Sequence, residues 1–207
     1  QPSVIFYYYF KLLLFPINLN IDPDIQLVTE WWSWKFITAL IGIAGLIYFC
    51  CRAKENRLLL YFICWFLIVL SPSSSIITLS DLAAEHRTYL ASYSFYAVIA
   101  FCVYKVPHLV FFNHSTKCRN IILVISIFIS IIFSGLTIQR NQIWASEVLL
   151  WNDALKKSPQ KVRPVINLAH AYTTTGNIDL AVEYFEKALA LNPNIFATNY
   201  NLGNLYF

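Results

Sequence analysis

The stretch that decides the fold is PVINLAHAYTTTGNIDLAVEYFEKALALNP, running from Pro164 to Pro193. Leu168, Ala169 and Tyr172 precede a Gly176-Asn177 pair, and Ala181, Phe185 and Ala188 follow it. Residues three, four and seven apart share a helical face, so the spacing predicts two helices, each with a stripe of alternating bulk. Pro164 can start the first helix, Gly176-Asn177 turns the chain, Asn177 can cap the second helix and Asn192-Pro193 ends it. Ala181 and Ala188 leave room for the paired helices to approach. Glu183 and Lys187 stand at i,i+4 on the exposed face, a solvated pair worth roughly 0.3 kcal/mol.

The pattern repeats. Adding 34 to the first-helix positions gives Leu202, Gly203 and Tyr206, and subtracting 34 from the second-helix positions gives Trp151, Ala154 and Pro159. A 34-residue period with these residues is that of the tetratricopeptide repeat. Asn167, His170, Tyr172 and Asn201 are its candidate protein-binding residues. About one and a half repeats lie within the chain, whereas roughly three are needed to bury stacked faces, so further repeats are expected beyond Phe207. The start at Gln1 and the absence of Met likewise suggest a piece of a longer chain.

Upstream of Arg140 the composition changes character. The 207 residues are 58% hydrophobic and 13% charged, with mean hydropathy +0.56, a balance that points to a bilayer as solvent. No basic stripe exists to displace phosphate counterions, so a nucleic-acid partner is excluded. Four of the five cysteines, Cys50, Cys51, Cys64 and Cys102, sit in apolar runs as small hydrophobes, and no metal-ligand spacing occurs. Apolar stretches approaching the roughly 30 Å hydrocarbon core span about Trp31 to Cys51, Leu58 to Leu70 or beyond, Leu90 to Val106 and Ile121 to Ile138. The Leu58 segment is short before Pro72, so it either continues kinked through Ser73, Ser74 and Ser75 or thins the bilayer locally. A fifth runs from Val4 to Phe15. The expected fold class is all-α: a polytopic transmembrane helical region over 1–139, then a tetratricopeptide solenoid over 140–207.

Loop charges set the orientation, because Lys and Arg accumulate on the cytoplasmic side of short loops. Arg52, Lys54 and Arg57 mark one such loop, and Lys105, Lys117 and Arg119 another. The alternate loops are poor in positive charge: Pro16 to Trp34 has none but carries Asp22, Asp24 and Glu30, and Pro72 to Tyr89 has only Arg87. The Pro16 loop, the Arg87 loop and everything after Ile138 are therefore expected to face the periplasm or lumen. Trp31, Trp32 and Trp34 read as an aromatic belt at the outer interface, with a sugar-stacking platform as the weaker alternative. Asn113-His114-Ser115 spells a glycosylation acceptor, but on the cytoplasmic side, where it would stay unmodified.

Chemistry concentrates in the outward loop holding Asp81, Glu85, His86, Arg87 and Tyr89. A short helix over Ser80 to His86 would put Asp81 and Glu85 on one face, with Arg87 able to reach a carboxylate or a lipid phosphate. The plainer reading is a loop held by a Glu85/Arg87 salt bridge and anchored by Tyr89.

Glu85-His86-Arg87-Thr88-Tyr89-Leu90, preceded by Trp65 and Pro72-Ser73-Ser74, resembles the C-terminal membrane region of the transmembrane and tetratricopeptide repeat (TMTC-like) glycosyltransferases of the GT-C class. Lys11 to Pro16 with Asn18-Leu19 and Asp22, and Arg140-Asn141 with Trp144 and Trp151, extend the resemblance along nearly the whole chain. Ala91 departs from it, standing where proline is expected, as do Ser74 and Ser75, which replace a more Asn-rich pattern.

The resemblance implies transfer of a sugar, mannose in the best-known relatives, from a polyprenyl-phosphate carrier to a protein hydroxyl on the outer face. Such a reaction needs a carboxylate base for the acceptor and positive charge for the departing phosphate. On this reading Glu85, His86 and Arg87 are the catalytic candidates, with Arg87 and His86 on the lipid phosphate and Glu85 orienting Arg87. The base belongs to an upstream outward loop that this chain lacks, so the segment alone is expected to be inactive. No cofactor is implied beyond the lipid-linked sugar donor. The expected partners are the bilayer, that donor and an acceptor protein held by the repeats. The expected location is a multi-pass bacterial inner-membrane protein, or alternatively one of the endoplasmic reticulum. A non-catalytic, repeat-bearing membrane scaffold is the alternative function, and a lipid-linked glycan polymerase or ligase a third. The orientation predicts that a membrane-impermeant thiol reagent labels single cysteines placed near Asn20 but not near Asn113 in intact cells; the opposite pattern would invert the topology.

Overall fold

A computed structural model describes residues 4–25, 32–52, 56–71, 83–110 and 116–206. The regular structure in these residues is helical. It divides into two compact units, one of Gln1–Leu19 with Ile25–Thr137 and one of Asn20–Asp24 with Ile138–Phe207.

Among the described residues the apolar stretches of the first unit are mainly helical. A π-helical stretch, Ile5–Tyr9, leads into α1 (Phe10–Leu14), followed by α2 (Trp34–Arg52), α3 (Arg57–Leu70), α4 (Thr88–Val110) and α5 (Thr116–Trp144). Asn56 caps α3, its side chain accepting from the Leu59 amide at 3.5 Å. Helix is the local solution for so apolar a sequence, because it pairs backbone N–H and C=O groups without outside partners.

The core of this unit forms where α1, α3 and α4 meet. Tyr9, Leu13, Phe66, Leu70 and Ala91 are buried there together. The Phe10 ring stands 5.3 Å from Phe66 and 5.7 Å from Phe95, at the inclined angles aromatic rings prefer. Tyr96 donates from its hydroxyl to the Leu13 carbonyl at 2.7 Å, satisfying an acceptor that the end of α1 leaves open. Ala91 is fully buried in this cluster, so a small side chain is what the packing takes at the position where proline was expected.

Among the described residues one helix, Arg119–Trp144 within α5, is long and apolar enough to cross a membrane. Shorter apolar helices cover Trp34–Tyr48 and Arg57–Leu70. At 14 residues α3 reaches about 21 Å, short of the roughly 30 Å hydrocarbon core. Large side chains of α5 such as Ile121, Val124, Phe128 and Ile131 are exposed.

In the second unit α6 (Glu147–Lys157), α7 (Val162–Thr174), α8 (Ile178–Leu191) and α9 (Phe196–Tyr206) pack each against the next in chain order. Leu168, Ala169, Ala181, Phe185 and Ala188 are buried, as the repeat pattern requires. At the end of α7 the Asn177 amide bonds the Tyr172 carbonyl at 2.9 Å and the Gly176 amide the Thr173 carbonyl at 3.1 Å, with Gly176 at φ 77°. That pair of bonds is a Schellman stop, and the left-handed backbone is what calls for glycine there.

Three local expectations need correction. Pro164 does not open α7, which begins two residues earlier, but sits buried inside its first turn, where a missing N–H costs nothing. Asn177 occupies the cap position of α8 without a capping bond; its side-chain amide donates to Thr175 Oγ1 at 3.1 Å. Lys187 lies over the Tyr184 ring, 5.4 Å from its centroid, instead of bridging to Glu183.

The repeat core generates a stability prediction. Leu168→Ala leaves a cavity between α7 and α8 and should cost about 2–5 kcal/mol, whereas Ile178→Ala at a half-exposed site should cost under about 1 kcal/mol. Chemical denaturation followed by circular dichroism measures both; equal losses would mean that α7 and α8 are not packed through Leu168.

Candidate functional site

The Glu85–Arg87 segment forms a single 3-10 turn leading directly into α4. Ala84 before it is extended, at φ −145° and ψ 139°, so the short helix expected over Ser80 to His86 is broken there. Asp81 and the Asn113-His114-Ser115 acceptor lie outside the described residues. The turn is pinned at both ends. Arg87 donates its amide to the Ala84 carbonyl at 3.2 Å, and the buried Thr88 donates its hydroxyl to the Glu85 carbonyl at 2.6 Å. Ala83 and Ala84, which precede it, are buried.

This geometry sorts the three candidate side chains. His86 is exposed while Glu85 and Arg87 are partly buried, so a base, a carboxylate and a permanent cation lie within three residues at a helix entrance. Tyr89, one residue beyond Thr88, is 83% exposed. A turn of this composition can hold a phosphate through guanidinium and imidazole donors while a neighbouring carboxylate restrains the guanidinium. Among the described residues no group of His, Cys, Asp and Glu has the arrangement of a metal site.

The repeat unit separates its four candidate residues. His170 on α7 and Asn201 on α9 meet, Asn201 Nδ2 lying 3.2 Å from His170 Nε2, and the His170 ring rests edge-on 5.1 Å from Phe185. Asn167 is partly exposed one turn before His170, at the position equivalent to Asn201 one repeat earlier. Tyr172 does not join them: it stacks on Tyr184 of α8 at 5.5 Å. Burial there pushes the Tyr172 phenol above its ordinary range, with the neighbouring Tyr184 and Glu183 adding to the shift.

Two polar constellations escaped the sequence reading. Asp153 on α6 receives Arg140 at 2.9 Å and Lys157 at 2.7 Å, and the Arg140 guanidinium stands 5.8 Å from the Trp144 ring centroid. The Lys157 half was legible as an i,i+4 pair; Arg140, thirteen residues away, was not.

The second constellation joins Asn20–Asp24 to the turn between α6 and α7. Asn20 Nδ2 donates to Ser158 Oγ at 2.8 Å, Ser158 Oγ donates to the Asp22 carbonyl at 3.0 Å, and the Asp24 amide donates to Ser158 Oγ at 3.1 Å. Lys161 pairs with the Asp22 carboxylate and reaches the Pro23 carbonyl at 3.3 Å. Asp22 is only 3% exposed, so the lysine supplies the compensation that a buried carboxylate requires.

Comparison with known proteins adds a second, independent line. The tetratricopeptide repeat family profile matches residues 166–195. The chain is 24% identical over 168 residues to the human protein named protein O-mannosyl-transferase TMTC3, covering 80% of this chain and 18% of that protein. Its mouse counterpart is 23% identical over 184 residues, covering 88% of this chain and 19% of the mouse protein. This chain therefore spans about a fifth of the length of these relatives. No solved structure matches. The similarity is weak but runs through both the apolar helices and the repeat, and together these findings support a TMTC-like family for this chain.

Proposed function

We propose that the protein to which this segment belongs is a membrane glycosyltransferase that moves a sugar, with mannose the first candidate, from a polyprenyl-phosphate carrier to a protein hydroxyl on the lumenal or periplasmic side. The observation that carries this reading is the pinned Glu85-His86-Arg87 turn in a chain similar to named O-mannosyl-transferases. Both relatives are mammalian, which favours the endoplasmic reticulum over the bacterial inner membrane.

In the proposed arrangement α2, α3, α4 and α5 are membrane spans, with the bilayer thinned locally around the short α3, and the turn before α4 lies at the outer interface. The placement of Asn20–Asp24 in the same unit as the repeats supports a common side for the Pro16 loop and the solenoid. Arg87 and His86 would take the carrier phosphate as its negative charge develops on leaving, and Glu85 would hold Arg87 in position. The acceptor hydroxyl would be deprotonated by an upstream carboxylate outside this chain. Asn167, His170 and Asn201 would offer amide and imidazole groups to an acceptor polypeptide.

A repeat of this family also serves the alternative of a scaffold that recruits proteins without catalysis. Activity separates the two. In the full-length protein, Arg87→Ala should lower transfer from a polyprenyl-phosphate sugar by at least about 100-fold while leaving expression and membrane insertion intact. Thr88→Val, which loses the bond that closes the turn, should cost about 1 kcal/mol of local order and a correspondingly smaller loss of rate. Wild-type transfer by the Arg87 variant in isolated membranes would remove this residue from the mechanism.

A further inference from the structure

The two turns that occupy equivalent places in the repeat differ in chemistry. Between α6 and α7 the sequence is Ser158-Pro159-Gln160-Lys161; one period later, between α8 and α9, it is Asn192-Pro193-Asn194-Ile195. Their backbones begin alike: the Ser158 amide bonds the Ala154 carbonyl at 2.8 Å, and the Asn192 amide bonds the Ala188 carbonyl at 2.9 Å. The side chains then do different work. Asn192 closes its own turn, its Oδ1 accepting from the Asn194 amide at 3.2 Å. Ser158 is fully buried and spends its hydroxyl on the distant segment, accepting from Asn20 and from the Asp24 amide and donating to the Asp22 carbonyl. Lys161, where the next turn has Ile195, reaches the same segment through Asp22 and Pro23.

The segment is shaped for this contact. Asn20 Oδ1 accepts from the Asp22 amide at 3.2 Å, an Asx turn that presents the side-chain amide of Asn20 and the carbonyl of Asp22 to one hydroxyl. Asn18, two residues earlier, takes a left-handed backbone at φ 57°, which Asn tolerates better than most residues. Asn20, Asp22 and Ser158 are all buried, so these bonds form out of contact with water and depend on one another.

We propose that Asn20–Asp24 is a dedicated strap that closes the first turn of the repeat unit, with Ser158 and Lys161 as its receptor in place of the Asn192 and Ile195 chemistry of the next turn. The strap joins a remote loop to the repeat unit and fixes which turn it can engage, since Asn and Ile at these positions offer neither the hydroxyl nor the ammonium that it uses. This holds whether the protein is a transferase or a scaffold.

Hydrogen exchange of the full chain, purified in detergent and read at single amides, tests the strap by cross-reading. Asn20→Ala removes a direct partner of the Asp22 amide but not of Asp24; if the strap closes as a unit, exchange at the Asp24 amide should rise at least tenfold. Ser158→Asn combined with Lys161→Ile removes the direct partner of the Asp24 amide but leaves that of the Asp22 amide, Asn20 Oδ1, in place, and exchange at the Asp22 amide should likewise rise at least tenfold. Amides of α8 should keep their protection in both. An effect confined to the directly bonded amide in each variant would overturn the proposal. Should the double variant lose the repeat fold, Asn20→Ala decides alone, because it leaves every repeat residue in place.

Discussion

A chain so rich in apolar side chains has to satisfy its backbone polar groups within itself, and the rest of this structure depends on that constraint. Helix meets it locally in both units, but the two bury their surfaces differently. In the first, large aromatic and aliphatic side chains from α1, α3 and α4 converge on a limited core, while much of α5 stays uncovered by the chain. In the second, alanines at 169, 181 and 188 permit close approach, and each helix packs on its neighbours along a one-dimensional array.

Polar groups are placed where helices end. Gly176 lets α7 stop with its last carbonyls bonded, Thr88 closes the turn that starts α4, and Tyr96 serves the carbonyl left over by α1. The candidate catalytic residues stand at one of these ends, where a 3-10 turn holds Glu85, His86 and Arg87 within a few ångströms of chain and leaves His86 open to solvent. Such positions combine a fixed backbone with accessible side chains, which is what recognition of a charged headgroup asks of a site.

The repeat was the most legible part of the sequence, because period, glycine turn and small-large alternation are local signals that agree with one another. The Glu-His-Arg block was legible as a concentration of charge in an apolar chain, and its helix entrance was not: the extended backbone of Ala84 breaks the helical phase that would have joined Asp81 to Glu85. The four candidate repeat residues met a similar fate. His170 and Asn201 are brought together across neighbouring helices, while Tyr172, two residues from His170, is turned onto Tyr184 by the helical rotation of about 200° between them.

By itself the sequence determined that the chain is helical, where its apolar helices fall, where the repeat turns, and the resemblance that comparison with the TMTC3 proteins supports. Those properties rest on spacing within one or two helical turns, which a linear pattern records. Only the tertiary structure decided that Asn20–Asp24 belongs with the repeats, that Arg140 shares Asp153 with Lys157, and that Ser158 and Lys161 are spent on a segment more than a hundred residues away. The reason is physical: a serine, an asparagine and a buried aspartate carry no periodicity, and their meaning appears only once folding puts donors within reach of acceptors and removes the water that would otherwise serve both.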